Sequence, residues 1–259
     1  RVAVRVNPDV DPKTHPYIST GLKKNKFGIN TEAAVEGYRM AAECDHIDVV
    51  GIDCHIGSQI TEAGPFEDAL ENIKSLMQRI KSDMGIDIRY IDMGGGLGIT
   101  YADESPPSLE EYAQAFVKSL KNMNVTLILE PGRVLVGNAG ILVTRALYNK
   151  SGQGKNFIIV DAGMNDLLRP TLYNAFHAIE PVVPSDSSPA VADIVGPICE
   201  SSDFLAVDRR LAGVGSGELL AVMSTGAYGF VMSSNYCSRP IVAEVMVKND
   251  QYHVVKQRE

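Results

Sequence analysis

The fold turns on residues 90–101, which read YIDMGGGLGITY. An apolar strand pattern is followed by Gly94, Gly95, Gly96 and Gly98 within five positions. A strand that runs into bare backbone offers N–H groups to an anion, most often a phosphate. The two common nucleotide motifs are nevertheless absent. Counted from Gly94, the dinucleotide pattern G-x-G-x-x-G meets Ile99 where its third glycine belongs; counted from Gly96 it meets Tyr101. No G-x-x-x-x-G-K-[ST] occurs either. Two readings stay open on spacing alone: a strand-end phosphate cradle, and a plain tight turn.

On both sides of this loop, up to about Arg133, strand and helix patterns alternate. RVAVRV (1–6) precedes a loop rich in Pro, Gly and Lys, and then the helix TEAAVEGYRMAAECD with Thr31 as its N-cap. The strand IDVVGIDCHI leads to a helix from about Phe66 to Met84. Its apolar residues Phe66, Ala69, Leu70, Ile73, Leu76, Met77 and Ile80 recur at helical spacing, and Gly85 stops it. IDIRYIDM runs into the glycines, Ser108 with Glu111 makes a capping box for LEEYAQAFVKSL, and VTLILE ends at EPGR. Such repeats predict a parallel sheet whose functional loops lie at the strands' C-terminal ends.

After Arg133 the pattern changes. ILVTRALYNK, NFIIVDA, ADIVG, ELLAVMS, PIVAEVMV and YHVVK are β-type runs separated by turns. The expected fold is therefore α/β: the C-terminal half of a (β/α)8 barrel over residues 1–135, followed by a mainly antiparallel β domain over 136–259. A whole barrel takes about 250 residues, and the chain opens in mid-strand without Met. The expectation is a piece of a longer protein, prone to aggregate by itself through exposed strand edges.

The 259 residues are 45% hydrophobic and 22% charged, as in ordinary globular chains. A net charge of −8 argues against a nucleic-acid or anionic-membrane surface. No apolar run approaches the ~20 residues of a membrane span. Cys44, Cys54, Cys199 and Cys237 are scattered without a CxxC pair, which suits a reducing cytoplasm and predicts no metal site.

Three consecutive strand ends carry chemistry: CHIGSQ with His55, Gly57 and Ser58, the glycine loop, and EPGR with Glu130, Gly132 and Arg133. That is how a parallel-sheet active site is assembled. Taken in order, CHIGSQI, DMGGGLGITY, EPGR, DAGMNDLLRPTLYNAFH, GPICESSDFLA and GAYGFVMSSNYCSRP resemble the diaminopimelate decarboxylases across essentially the whole chain. These are pyridoxal-phosphate enzymes of alanine racemase-like fold, a barrel followed by a β domain.

The resemblance implies a set of roles. Glu130 would face the cofactor's ring nitrogen, and His55 would stack on the ring. The phosphate would be held by Ser58, Gly94, Gly95, Gly96, Gly132, Arg133 and Tyr228. Arg133, Arg169, Tyr173 and Glu200 would bind meso-diaminopimelate, and Cys199 would supply the proton that replaces carbon dioxide. Cys199 and Glu200 would come from the neighbouring subunit of a homodimer. The implied reaction is the decarboxylation of meso-2,6-diaminopimelate to L-lysine, in lysine biosynthesis.

One family element is missing. The Schiff-base lysine sits on the first barrel strand in a YAVKAN-like motif, which does not occur here. Lys13, Lys23, Lys24 and Lys26 fall in loop sequence. By itself the piece is expected to be inactive. Ornithine, arginine or carboxynorspermidine decarboxylases of the same fold, a non-catalytic regulatory homologue, and a generic phosphate-binding domain are the alternatives.

Overall fold

A computed structural model of the chain describes residues 1–12, 26–152, 154–184 and 186–259. Lys13, Lys23 and Lys24, read above as loop residues, lie outside the described residues. The chain divides into two compact units, Arg1–Thr100 with Glu104–Val134, and Tyr101–Asp103 with Leu135–Glu259.

The first unit is built on a parallel sheet of β1 (Val2–Arg5), β2 (Val49–Asp53), β3 (Tyr90–Asp92) and β4 (Thr126–Ile128), in that order. Arg5 pairs with Asp53, Asp53 with Asp92, and Asp92 with Ile128. The register therefore brings the C-terminal ends of all four strands level, and the loops that follow them leave from one edge. Three helices connect the strands: α1 (Thr31–Ala42), α2 (Gly64–Met84) and α3 (Leu109–Leu120).

The apolar face of α2 is the one its periodicity predicts, and all seven of those residues are buried. Phe66 meets Tyr112 and Phe116 of α3 edge-on, with ring centroids at 4.9 and 5.9 Å. Each such side chain removes enough apolar surface from water to stabilise by about 1.5–3 kcal/mol before its ordering entropy is counted. Gly85 ends α2 at φ 70°, in the left-handed region. At α3 the capping box forms: Ser108 Oγ accepts from Glu111 N–H at 3.2 Å, and the Glu111 carboxylate accepts from Ser108 N–H at 2.8 Å.

Two helix starts differ from expectation. Asn30, not Thr31, caps α1, its side-chain oxygen accepting from Ala33 N–H at 2.8 Å. Asn30 holds the extended backbone a cap needs, and it caps at least as well as Thr. Helix α2 begins at Gly64 because Pro65, which has no N–H to satisfy, suits the first turn.

After a four-residue helix, α4 (Arg133–Val136), the second unit holds six strands: β5 (Leu142–Gly152), β6 (Lys155–Val160), β7 (Ile179–Pro181), β8 (Ala190–Val195), β9 (Phe204–Leu211) and β10 (Leu219–Val222). They lie in the order β7-β10-β5-β6-β8-β9. All pairs are antiparallel except β6 with β8. Before β8 the chain passes through the short helix α5 (Arg169–Tyr173) and β7, so it re-enters beside β6 in the same direction. A separate hairpin, β11 (Glu244–Lys248) with β12 (Gln251–Lys256), turns at Asn249, whose φ of 56° is the conformation tight hairpins require.

Candidate active site

In the first unit the three strand-end loops are pressed together by backbone, and the glycines are where they touch. A Cβ on Gly94 would lie 2.7 Å from both Cys54 O and His55 Nδ1. On Gly95 it would collide with Glu130 O, and on Gly96 with Gly57 O. Gly94 and Gly96 also have φ of 66° and 108°, which side chains disfavour. The Glu130 N–H donates to Gly94 O at 2.7 Å, and the Ile60 N–H to Gly96 O at 2.9 Å. The glycine run therefore locks the loop after β3 between the loops after β2 and β4.

This packing revises which N–H groups the loop can offer an anion. The Gly94 N–H donates to Asp92 Oδ1 at 2.9 Å, and the Gly95 N–H to His55 Nδ1 at 3.2 Å. Both are already spent inside the protein. Gly96, half-buried and beside Gly57, donates to no protein acceptor among the described residues. Beside it, Arg133 Nη2 donates to Ser58 Oγ at 2.9 Å, bringing the ends of two loops together. Arg133 is buried at the first position of α4, whereas Glu130 and Gly132 are exposed.

The His55 ring is half-buried and accepts a hydrogen bond at Nδ1, so in the neutral ring the proton sits on Nε2. Burial, helped by the positive charge of Arg5, holds its pKa below the ordinary histidine value, against a smaller pull from Asp92. His55 is thus a flat, uncharged surface near neutral pH. The neighbouring carboxyl of Asp53 is raised to about 6, first by burial; Arg5 opposes this, while Asp92 and Glu130 add to it.

The donor set fits pyridoxal phosphate. A guanidinium, a hydroxyl and an N–H match a phosphate dianion, the uncharged imidazole matches an aromatic ring face, and a strand-end carboxylate matches a pyridine nitrogen that must stay protonated. Glycines packed to backbone contact keep these groups on one rigid edge.

In the second unit the loop after β6 carries Arg169 and the loop after β8 carries Cys199 and Glu200. A single buried carboxylate ties the two loops: Asp203 accepts from Met164 N–H through Oδ1 and from Ile198 N–H through Oδ2, each at 2.6 Å. Cys199 is an exposed free thiol. Glu200 is exposed, and its carboxylate accepts from Tyr236 Oη at 2.6 Å and from Ser202 Oγ at 2.8 Å. These two bonds hold Glu200 below the usual carboxylate range, Tyr236 contributing most.

Arg169 is buried, 6% exposed. It opens α5, and Tyr173 closes it. Tyr228 lies at φ 59° in the GAYG turn and is 42% exposed. Among the residues at these loops, Asp203, Ser202 and Tyr236 had no role on sequence grounds. The only sequence signal was their position inside the motifs GPICESSDFLA and SSNYCSRP.

Residues 1–137 match the model of the pyridoxal-dependent decarboxylase pyridoxal-binding domain, and residues 70–226 match that of the pyridoxal-dependent decarboxylase C-terminal sheet domain. The chain belongs to the pyridoxal-dependent decarboxylase family. Its cofactor is pyridoxal phosphate. Diaminopimelate decarboxylase from Pseudomonas aeruginosa is 55% identical over the whole chain, and that from Aquifex aeolicus 51%. The crystal structure of diaminopimelate decarboxylase from Helicobacter pylori complexed with L-lysine superposes with a TM-score of 0.94 at 42% identity, over all of this chain and 64% of that one. The chain spans 62% of the length of the Pseudomonas and Aquifex relatives. Its fold is theirs: the parallel sheet is the C-terminal half of a (β/α)8 barrel, and a mainly antiparallel β domain follows.

Proposed function

We propose that the complete protein removes a carboxyl group from meso-2,6-diaminopimelate to give L-lysine, as a lysine-biosynthetic enzyme acting as a cytoplasmic homodimer. In this reading residues 1–135 bind the cofactor and residues 136–259 carry substrate groups. The observation that carries it is the presence of two complementary charged groups in the second unit. Arg169 is a buried guanidinium, suited to a carboxylate, and Glu200 is a carboxylate held ionised, suited to an ammonium. Together, with Glu200 reaching in from the neighbouring subunit, they suit a substrate whose far end bears both charges. The Helicobacter relative is complexed with L-lysine, the product this reaction would release.

Pyridoxal phosphate, when bound, supplies an electron sink for the charge left at Cα as carbon dioxide departs. The residues of this chain do the rest. Ser58, Arg133, Gly96, Gly132 and Tyr228 would hold the phosphate, with Gly94 and Gly95 fixing the loop. His55 would offer a flat surface to the ring, and Glu130 would favour a protonated ring nitrogen. Arg133, Arg169 and Tyr173 orient the substrate and Glu200 takes its distal ammonium. The thiol of Cys199, with Glu200 supplied by the neighbouring subunit, delivers the proton that Cα needs. The anchoring lysine of the YAVKAN-like strand is not among these 259 residues.

No helix of the described residues is long and apolar enough to cross a membrane. The decisive experiment measures carbon dioxide release by the complete protein from diaminopimelate, ornithine, arginine and carboxynorspermidine in parallel. Turnover of diaminopimelate at least about 100-fold more efficient than of the others is expected, since a site built to bond a substrate's polar group rejects analogues that lack it. Turnover of ornithine without diaminopimelate rejects the substrate, and release from none of the four supports a regulatory homologue.

Tyr236 gives a sharper check on Glu200. Tyr236→Phe deletes the donor that contributes most to keeping that carboxyl acidic, so its pKa rises. Since the ionised form binds the ammonium, the acidic limb of kcat/KM is expected to move to higher pH, with the alkaline limb unchanged. An unmoved acidic limb removes Glu200 from ammonium binding.

A further inference from the structure

The hydroxyl that holds Glu200 is presented by an unfavourable turn. Tyr236 is followed by Cys237 at φ 55° and ψ 31°, and by Ser238 at φ 56°. Two successive non-glycine residues in the left-handed region are strained, and such a turn persists only where its surroundings impose it. Those surroundings converge on Arg239, the next residue of the motif SSNYCSRP.

From within, Asn235 Nδ2 donates to Arg239 O at 3.0 Å, and the Arg239 N–H donates to Tyr236 O at 3.3 Å. Outward, Arg239 Nη2 donates to the carbonyl oxygen of Asp161, the residue after β6. The guanidinium also faces two buried carboxylates, Asp166 in the loop after β6 and Asp203 in the loop after β8. Burial pushes both carboxyls up, and the charge of Arg239 pulls both back. Their hydrogen bonds come from elsewhere. Asp166 accepts from Gly163 N–H at 2.9 Å and from Asn165 Nδ2 at 3.0 Å, and Asp203 is held by Met164 and Ile198. Arg239 Nε is buried and has no acceptor among the described residues.

A buried donor left unmade costs stability. The arrangement forgoes a bond at Nε and keeps the guanidinium between the two acidic loops, where it joins the turn to both. We propose that Arg239 is a positioning residue that ties the strained turn to the loops after β6 and β8, keeps Tyr236 on Glu200, and so sets the affinity for the substrate's distal ammonium. This deepens the reading of Glu200 as the ammonium receptor and rests on it. Around the Glu200 carboxylate stand Tyr236 and Ser202, bonded to it, with Asp203, Cys199 and Cys237 as the other titratable groups nearby. Arg239 does not bond Glu200, so its influence passes through Tyr236.

The test is a double-mutant cycle in the complete holoenzyme, read as KM for diaminopimelate and as the pH profile of kcat/KM. Cofactor absorbance and melting temperature report folding. Arg239→Met is expected to raise KM about 3- to 10-fold, as when one hydrogen bond is lost, and to move the acidic limb to higher pH as Tyr236→Phe does. In the Tyr236→Phe background the same substitution should change neither by more than about twofold, because the residue through which it acts is already disabled. Arg239→Lys keeps the charge without the planar fork and should fall between the parent and Met. Asn235→Ala opens the turn without touching the buried charges, and should shift KM and the acidic limb in the same direction by less.

A merely structural role lowers the melting temperature of Arg239→Met and leaves the acidic limb where it was. That result, or effects of Arg239→Met and Tyr236→Phe that simply add, overturns the proposal. Should Arg239→Met fail to fold, Arg239→Lys and Asn235→Ala decide: an unmoved limb in both overturns it as well. Glu200→Gln separates the two levels. If it leaves KM unchanged, the ammonium reading fails and the proposal with it. If it raises KM while the Arg239 and Tyr236 effects add, the Arg239 proposal alone fails.

Discussion

Glu130→Ala in the complete enzyme is expected to lower kcat by about 10³-fold, within the range for removing a charge that stabilises a developing carbanion. Cofactor affinity should change by less than about tenfold. The two effects separate because the Glu130 backbone is held independently of its side chain: its N–H donates to Gly94 O, and its carbonyl oxygen is packed against Gly95. Truncating the carboxylate leaves that backbone and the proposed phosphate-holding groups Ser58 and Arg133 in place. Glu130→Gln, of equal shape and without charge, should match Ala in kcat and not restore it. The measurements are single-turnover decarboxylation and a cofactor titration followed by absorbance. Near-normal turnover in either variant would rule out the ring-nitrogen role.

Much of the first unit could be read from the sequence because its determinants are local. The spacing of seven apolar residues on α2, the stop at Gly85 and the Ser108–Glu111 box each act over a few residues, and all three form. The strand ends that carry the site were legible for the same reason, since each is a short run ending in Gly, His or Glu. What sequence spacing left open was why the glycines are there. They are bare mainly because Cys54, Gly57 and Glu130 press backbone against them from neighbouring loops, and that proximity exists only once the sheet has formed. The phosphate reading and the tight-turn reading are compatible in one arrangement: most of the loop makes the turn, and the Gly96 N–H is left for the proposed phosphate contact.

The second unit was less legible. FLAVDRRL forms β9, yet its Asp-Arg-Arg run breaks the alternation expected of a strand, and Asp208 sits at φ 49° within an irregular pairing with β8. The parallel pairing of β6 and β8 is long-range and leaves no local trace. His177, Tyr236 and Asp203 are bonded to other residues of these motifs. A histidine bonded to an arginine eight positions away, or a tyrosine bonded to a glutamate 36 positions away, has no spacing signature. Residues that touch a ligand tend to stand in recognisable motifs. Those that aim them are found only from the hydrogen bonds.

Gly95→Ala is expected to be the most damaging single-methyl change in the chain's cofactor unit. The new Cβ would fall on Glu130 O, with Glu130 C at 3.1 Å and Pro131 Cα at 3.8 Å, all of them backbone. No side chain can swing away to make room, so the loops after β3 and β4 must separate. Separation strains the 2.7 Å bond from Glu130 N–H to Gly94 O and the bond from Gly95 N–H to His55. Overpacking against rigid backbone costs about 3 kcal/mol or more. In the complete enzyme the melting temperature should fall by several degrees, bound cofactor should be lost on dialysis, and activity should drop more than about 100-fold. Gly132→Ala is the control for stability. Its Cβ meets nothing within 4 Å, and its backbone is not in the left-handed region, so the melting temperature should hold within about 1–2 °C. If Gly95→Ala melts like the parent and retains cofactor, the loops are not locked through Gly95, and the rigid strand-end edge on which the site assignment depends is wrong.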